Sequence, residues 1–108
     1  MSFPIQRPRR LRLDSRIRNM VREVSVDARH LIYPLFVVEG FSEPREISAM
    51  PGQMQWPVKR IHEPVAAAMQ EGVSAFILFG VPAVKDHDGS AGCSNDSVVC
   101  AAIRNIRA

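Results

Sequence analysis

Long apolar runs are missing from this 108-residue chain. None approaches the roughly 18–20 residues that a membrane-crossing helix needs, so no membrane span is expected. The N-terminus, MSFPIQRPRR, has no apolar stretch behind its arginines, which argues against a secretory signal and makes the cytoplasm the default location. Cysteine is scarce: Cys93 and Cys100 are the only two. Their C-x6-C spacing is wider than the C-x2-C to C-x4-C openings of zinc sites. Two small thiols packed on one helix face satisfy that spacing as well as a ligand pair or a disulfide does, and buried free cysteine is common. Lysine is equally scarce. Lys59 enters a helix and Lys85 falls in a loop, whereas an imine-forming lysine needs a desolvated pocket on a rigid element. Neither G-x-x-x-x-G-K-[ST] nor G-x-G-x-x-G occurs, so no phosphate cradle is predicted. His30, His62 and His87 share no H-x-x-x-H or H-E-x-x-H spacing, and no Ser/His/Asp order or Cys–His pairing stands out.

What is present is an ordinary globular balance, 46% hydrophobic and 23% charged. The length allows one domain at most, with a core at the smaller, marginal end. The net charge of +3 hides an asymmetry. Residues 1–22 carry seven arginines against Asp14, a balance of +6; the remainder carries seven basic and ten acidic groups, a balance of −3. A basic arm on a mildly acidic body suggests nucleic acid or another acidic surface as partner, a neighbouring subunit included. The arm, with Arg7, Arg9, Arg10 and Arg12, lacks interleaved aromatics and any recognisable binding module, which favours subunit contact over nucleic acid.

Along the chain, residues 3–12 hold two prolines and no periodicity, and read as extended. Asp14 or Ser15 can cap a helix over about 15–23, with Ile17, Met20 and Val21 on one stripe. LIYPLFVVEG, 31–40, reads as a strand buried on both faces. Pro34 counts against a fully paired position there and predicts one-sided or bulged pairing. Residues 41–57, rich in proline, read as a loop. A helix follows over about 59–71, with Pro64 kinking it or restarting its first turn and Gly72 closing it. VSAFILFG, 73–80, is the second buried strand. Then come a loop over 81–94 and a last helix capped by Asn95 or Asp96, with Val99, Ala102, Ile103 and Ile106 as its stripe. Strand, helix and strand in this order make a right-handed βαβ unit with parallel strands.

In α/β barrels and open sheets, ligands sit at the C-terminal ends of strands. Phe79 lies at that end, and Lys85, Asp86, Asp88 and Ser90 are in the loop that follows. An ammonium, carboxylates and a hydroxyl close together suit the orientation of a polar substrate; a solvated surface loop is the plainer alternative. His87, flanked by Asp86 and Asp88, reads as the solvated tip of that loop.

Taken in order, RPRRLR, RNMVRE, LIYPLFVVEG, MPG, LFGVPAVKDHDGS and AAIRNIR resemble the porphobilinogen synthase (delta-aminolevulinic acid dehydratase) family over essentially the whole chain. The resemblance implies a TIM (β/α)8 barrel preceded by an N-terminal arm with a short helix. It implies condensation of two 5-aminolevulinate molecules to porphobilinogen, a hydro-lyase reaction in haem and tetrapyrrole synthesis, through two Schiff-base lysines. It further implies a zinc or magnesium requirement in the full-length family and a homo-octamer. Carried over by position, Met1–Val26 is the arm, within an oligomerisation unit of residues 1–30. Residues 31–108 are the first two strands and helices of an incomplete barrel. Leu31–Glu39 is the first strand and Ser74–Phe79 the second. Phe79, Lys85, Asp86 and Ser90, with Gly89, form the rim of the substrate cavity, and Arg7, Arg9, Arg10 and Arg12 make subunit contacts. The family's catalytic lysines and zinc cysteines lie beyond residue 108, so Lys59, Lys85, Cys93 and Cys100 are not assigned those roles and no metal is expected to bind here. The chain departs from the family where Cys93 replaces a common Tyr, Ser97 a common Gly and Cys100 a common Gln. Ending inside a helix, it reads as a partial chain, silent as a catalyst by itself; the alternative is an interaction module acting through its basic arm.

Overall fold

The computed structural model describes residues 5–108, so residues 1–4, including the first two of the expected extended stretch, lie outside it. Chain order is α1 (Ser15–Met20), β1 (Ile32–Val38), β2 (Arg45–Glu46), β3 (Met54–Pro57), α2 (His62–Gln70), β4 (Ala75–Val81) and α3 (Val98–Arg107). The sheet is four-stranded in the order β2-β3-β1-β4. As expected, β1 and β4 lie side by side and parallel, in register from Ile32↔Ala75 to Val38↔Val81. The loop expected over 41–57 instead contains two short strands. β3 pairs parallel with β1 at Phe36↔Gln55 to Val38↔Pro57, and β2 pairs antiparallel with β3. The sheet is therefore mixed and open.

Pro34 shows why β1 tolerates a proline. Glu39 N–H donates to Val81 O at 3.0 Å, and donors alternate sides along a strand. The nitrogen of Pro34 thus faces the β3 side, where pairing begins only at Phe36. No ladder donor is lost there, which is the one-sided pairing the sequence predicts.

Helix ends follow local chemistry. Asp14 caps α1, its Oδ1 accepting from Arg16 N–H at 2.7 Å. Pro64 is the third residue of α2, within the first turn, where a missing N–H costs no intrahelical bond. Past α2, Gly72 takes φ +93°. Its N–H reaches Met69 O at 3.0 Å and that of Val73 reaches Ala68 O at 3.1 Å, closing the helix in a Schellman turn. At α3 the cap is Ser97, whose Oγ accepts from Cys100 N–H at 3.4 Å, not Asn95 or Asp96. Starting there, the helix turns Val98 and Ala102 into the core. Val99 and Ile106 pack at its margin, while Ile103 is exposed, unlike the expected stripe.

The core lies on one face of the sheet. Leu35 and Val37 of β1 meet Ile61 and Val65 at α2 and Val98 and Ala102 of α3, with Phe76 and Leu78 of β4 alongside. Alternation sends Phe36 and Phe79 to the opposite face, where their rings stack at 5.4 Å between centroids. Ile32, Ile77 and Phe79 on that face remain 65%, 45% and 46% exposed. Arg60 ties the proline-rich loop to α2, bonding Glu63 through Nε at 2.7 Å and Glu43 through Nη1 at 2.5 Å. The N-terminal segment stands away from this body. Principal extents are 66 × 35 × 25 Å. The radius of gyration is 21.8 Å, against about 13 Å for a compact chain of some 100 residues.

Candidate functional site

Three short devices shape the loop that leaves β4. Pro82 has no N–H to donate, so the first donor beyond the ladder after Val81 is Ala83 N–H; it bonds Glu39 Oε2 at 3.1 Å. Asp86 folds the next part on itself, its Oδ1 accepting from Ser90 N–H at 2.9 Å and its Oδ2 meeting Ser90 Oγ. Gly89 supplies the left-handed turn that this closure needs, at φ +66°. The Ser90 hydroxyl, followed by its backbone N–H, holds the Asp86 carboxyl below its ordinary value of 3.8.

Asp86 and Ser90 are thus brought together, while Lys85 is exposed beside them. Phe79 lies on the open face of the sheet against Phe36, near the strand's C-terminal end. His87 forms a solvated tip as expected, its Nε2 3.3 Å from Asp88 Oδ1 with both side chains largely in water. A shallow depression of about 320 Å³ is lined by Pro82, Val84, Lys85, Asp86 and Gly89 among others. A larger groove, about 820 Å³, lies at the other end of the strands between Leu31, Tyr33, Trp56 and Pro64. Its walls are mostly apolar, and βα folds gather their polar ligands at the C-terminal ends, so the loop after β4 is the better candidate despite its smaller hollow. Sequence reading missed Glu39. Its signal was an acidic residue ending a buried strand next to Gly40, on the side where a βα fold places its ligands.

Arg7, Arg9, Arg10 and Arg12 are all exposed, the last two within a 3-10 turn, Arg10–Arg12. Arg18 Nη1 bonds Arg12 O at 3.0 Å and ties that turn to α1. The stripe of α1 finds no cover within the described residues: Ile17, Met20 and Val21 are 37%, 85% and 47% exposed. Cys93 and Cys100 are free thiols, Cys93 exposed and Cys100 partly so. Among the described residues, no three His, Cys, Asp or Glu side chains gather in a way that could hold a metal ion. Nor is any helix among them long and apolar enough to cross a membrane.

Residues 5–108 match the family model described as delta-aminolevulinic acid dehydratase. The delta-aminolevulinic acid dehydratase of Mycobacterium tuberculosis (strain ATCC 25618 / H37Rv) is 43% identical over 107 residues, covering 97% of this chain and 32% of that protein. The one from Streptomyces coelicolor is 44% identical over 109 residues, covering 99% and 33% respectively. Among solved structures, delta-aminolevulinic acid dehydratase (porphobilinogen synthase) from Toxoplasma gondii ME49, in complex with its reaction product porphobilinogen, superposes with a TM-score of 0.81. It is 31% identical, over 98% of this chain and 31% of that one. The chain therefore spans about a third of the length of these relatives.

Proposed function

The chain belongs to the delta-aminolevulinic acid dehydratase family, and from that premise we propose that it serves the condensation of two 5-aminolevulinate molecules to porphobilinogen. The observation that carries this reading is the family match from residue 5 to residue 108. It is supported by the parallel pairing of β1 with β4, which suits the opening of a (β/α)8 barrel with α2 as the crossover. In that barrel the face bearing Phe36 and Phe79 looks inward.

Each rim residue has a part that its chemistry supports. Phe79 and Phe36 keep water from the apolar end of the cavity. The exposed ammonium of Lys85 attracts and orients a carboxylate of 5-aminolevulinate. Asp86 and Ser90 do not bind substrate themselves: they satisfy each other and hold the shape of the loop beside Lys85. Imine chemistry needs a lysine that can lose its proton in a desolvated pocket. Lys59 and Lys85 are both exposed, so neither is assigned that step. A zinc or magnesium ion in this family would polarise substrate oxygen, but the residues described here do not form a centre for either, and none is assigned as a ligand. The arm, with Arg7, Arg9, Arg10 and Arg12, serves contact between subunits of a homo-oligomer, an octamer by the family's pattern, acting in the cytoplasm.

The test has two parts. The 108 residues alone, incubated with 5-aminolevulinate, should give no porphobilinogen above background. Spliced in place of the first third of the M. tuberculosis relative, they should support porphobilinogen formation, and Lys85→Ala in that chimera should raise the KM for 5-aminolevulinate. A folded chimera without activity would sink the functional reading.

A further inference from the structure

We propose that Glu39 is a positioning residue for the loop after β4, fixing from the end of β1 where Lys85 is presented. The inference deepens the reading above and rests on that loop being the cavity rim. Glu39 reaches the neighbouring strand twice. Its backbone N–H donates to Val81 O at 3.0 Å, the last rung between the two strands. Its Oε2 then accepts from Ala83 N–H at 3.1 Å, across 44 positions of sequence.

The spacing explains why a side chain is needed. Donors alternate sides along a strand, so Pro82 faces away from β1 and the next rung falls to Ala83 N–H; beyond Glu39 the chain of β1 turns away at Gly40 with φ +87°. The carboxylate extends the ladder by one rung where the backbone of β1 no longer can. Farther along, Asp86 is closed onto Ser90. Ala83 and Asp86 are therefore both anchored, and only Val84 and Lys85 lie between the anchors. The direction of the Lys85 side chain is set by two carboxylates it does not touch: Glu39, which joins the loop to the sheet, and Asp86, which closes the loop on itself. A charge-assisted bond from a carboxylate to a backbone N–H is of the stronger kind.

Amide hydrogen exchange followed by NMR on the isotope-labelled 108-residue chain tests this. In Glu39→Ala, exchange at Ala83 should quicken by about tenfold, the scale of losing one such bond, with smaller gains at Val84 and Lys85. Amides within β1 and β4 should keep their rates. Glu39→Gln retains an acceptor at the same reach and should recover part of the protection. If Glu39→Ala does not fold, Glu39→Gln carries the test, with a severalfold increase expected at Ala83. Unchanged exchange at Ala83, or acceleration spread equally through both strands, would overturn the proposal. The Lys85→Ala chimera separates the two readings. An unchanged KM for 5-aminolevulinate there removes the rim reading, whereas the clamp stands or falls on exchange at Ala83 alone.

Discussion

Gly80 lies against the start of α3 with no room for a β-carbon. A β-carbon there would stand 2.6 Å from Val99 Cγ2 and 2.7 Å from Val98 Cγ1. Both neighbours are β-branched and stiff at χ1, so neither can swing aside cheaply. Gly80→Ala should therefore destabilise the chain by about 1–3 kcal/mol through overpacking, read as a lower urea midpoint with unchanged slope. Asp86 offers a test by pH. Its carboxyl is held below 3.8, first by the Ser90 hydroxyl and then by the Ser90 N–H. A group whose folded value is depressed contributes its stabilisation in full above the unfolded value and loses it as the pH falls through the folded one. Protection of the Ser90 amide, corrected for intrinsic exchange, should stay level down to about pH 4 and then decline. Asp86→Asn should abolish that pH step. Such pairings are only partly legible in sequence. Asp86 and Ser90 stand four positions apart in a turn-rich stretch, so their meeting can be anticipated. The partner of Glu39 is 44 positions away and depends on the strand register, which a single sequence does not print.

At the scale of elements, β1, α2 and β4 are legible because each carries an apolar pattern with clear stops: Gly40, Gly72 and the Gly80–Pro82 break. β3 is not, because Met54-Gln55-Trp56-Pro57 lies among prolines and glycine with no pattern of its own. It exists by pairing with Phe36–Val38, an energy that comes from tertiary contact. The start of α3 is misread for a related reason. Ser94, Asn95, Asp96 and Ser97 are all competent caps, and the choice falls where Val98 and Ala102 can enter the core. Ser97→Ala should cost about 1 kcal/mol, the usual scale for losing an N-cap, whereas Asn95→Ala, which removes no cap, should cost much less. Thermal or urea unfolding of the pair distinguishes them. Ile61 joins the elements: it is fully buried at the entry to α2 and packs within the cluster shared by β1 and α3. Ile61→Ala should cost about 2–5 kcal/mol, enough to unfold a chain with so small a core.

At the scale of the whole molecule, apolar surface is distributed unevenly. The helix-side face of the sheet is closed, while the opposite face leaves Ile32, Ile77 and Phe79 in water. β4 ends the sheet, with β1 on one side and no strand on the other among the described residues. An unpaired edge beside an apolar face is a template for association. The outlying arm adds Leu13, Met20, Val24 and Val26, exposed by 76–85%. Hydrophobic burial is the dominant favourable term in association, and this chain keeps more of that surface open than its core of six residues would lead one to expect. The 108-residue chain should therefore show a sedimentation coefficient that rises with concentration. Replacing both Ile77 and Phe79 by glutamate places like charges on the open face, at positions that the core does not use. That double variant should keep its far-ultraviolet circular dichroism and sediment more nearly as a monomer. If the unsubstituted chain is already monomeric throughout, the open face is not sticky by itself. If it associates and the double variant associates equally, the contact lies elsewhere, and the arm becomes the surface to substitute next.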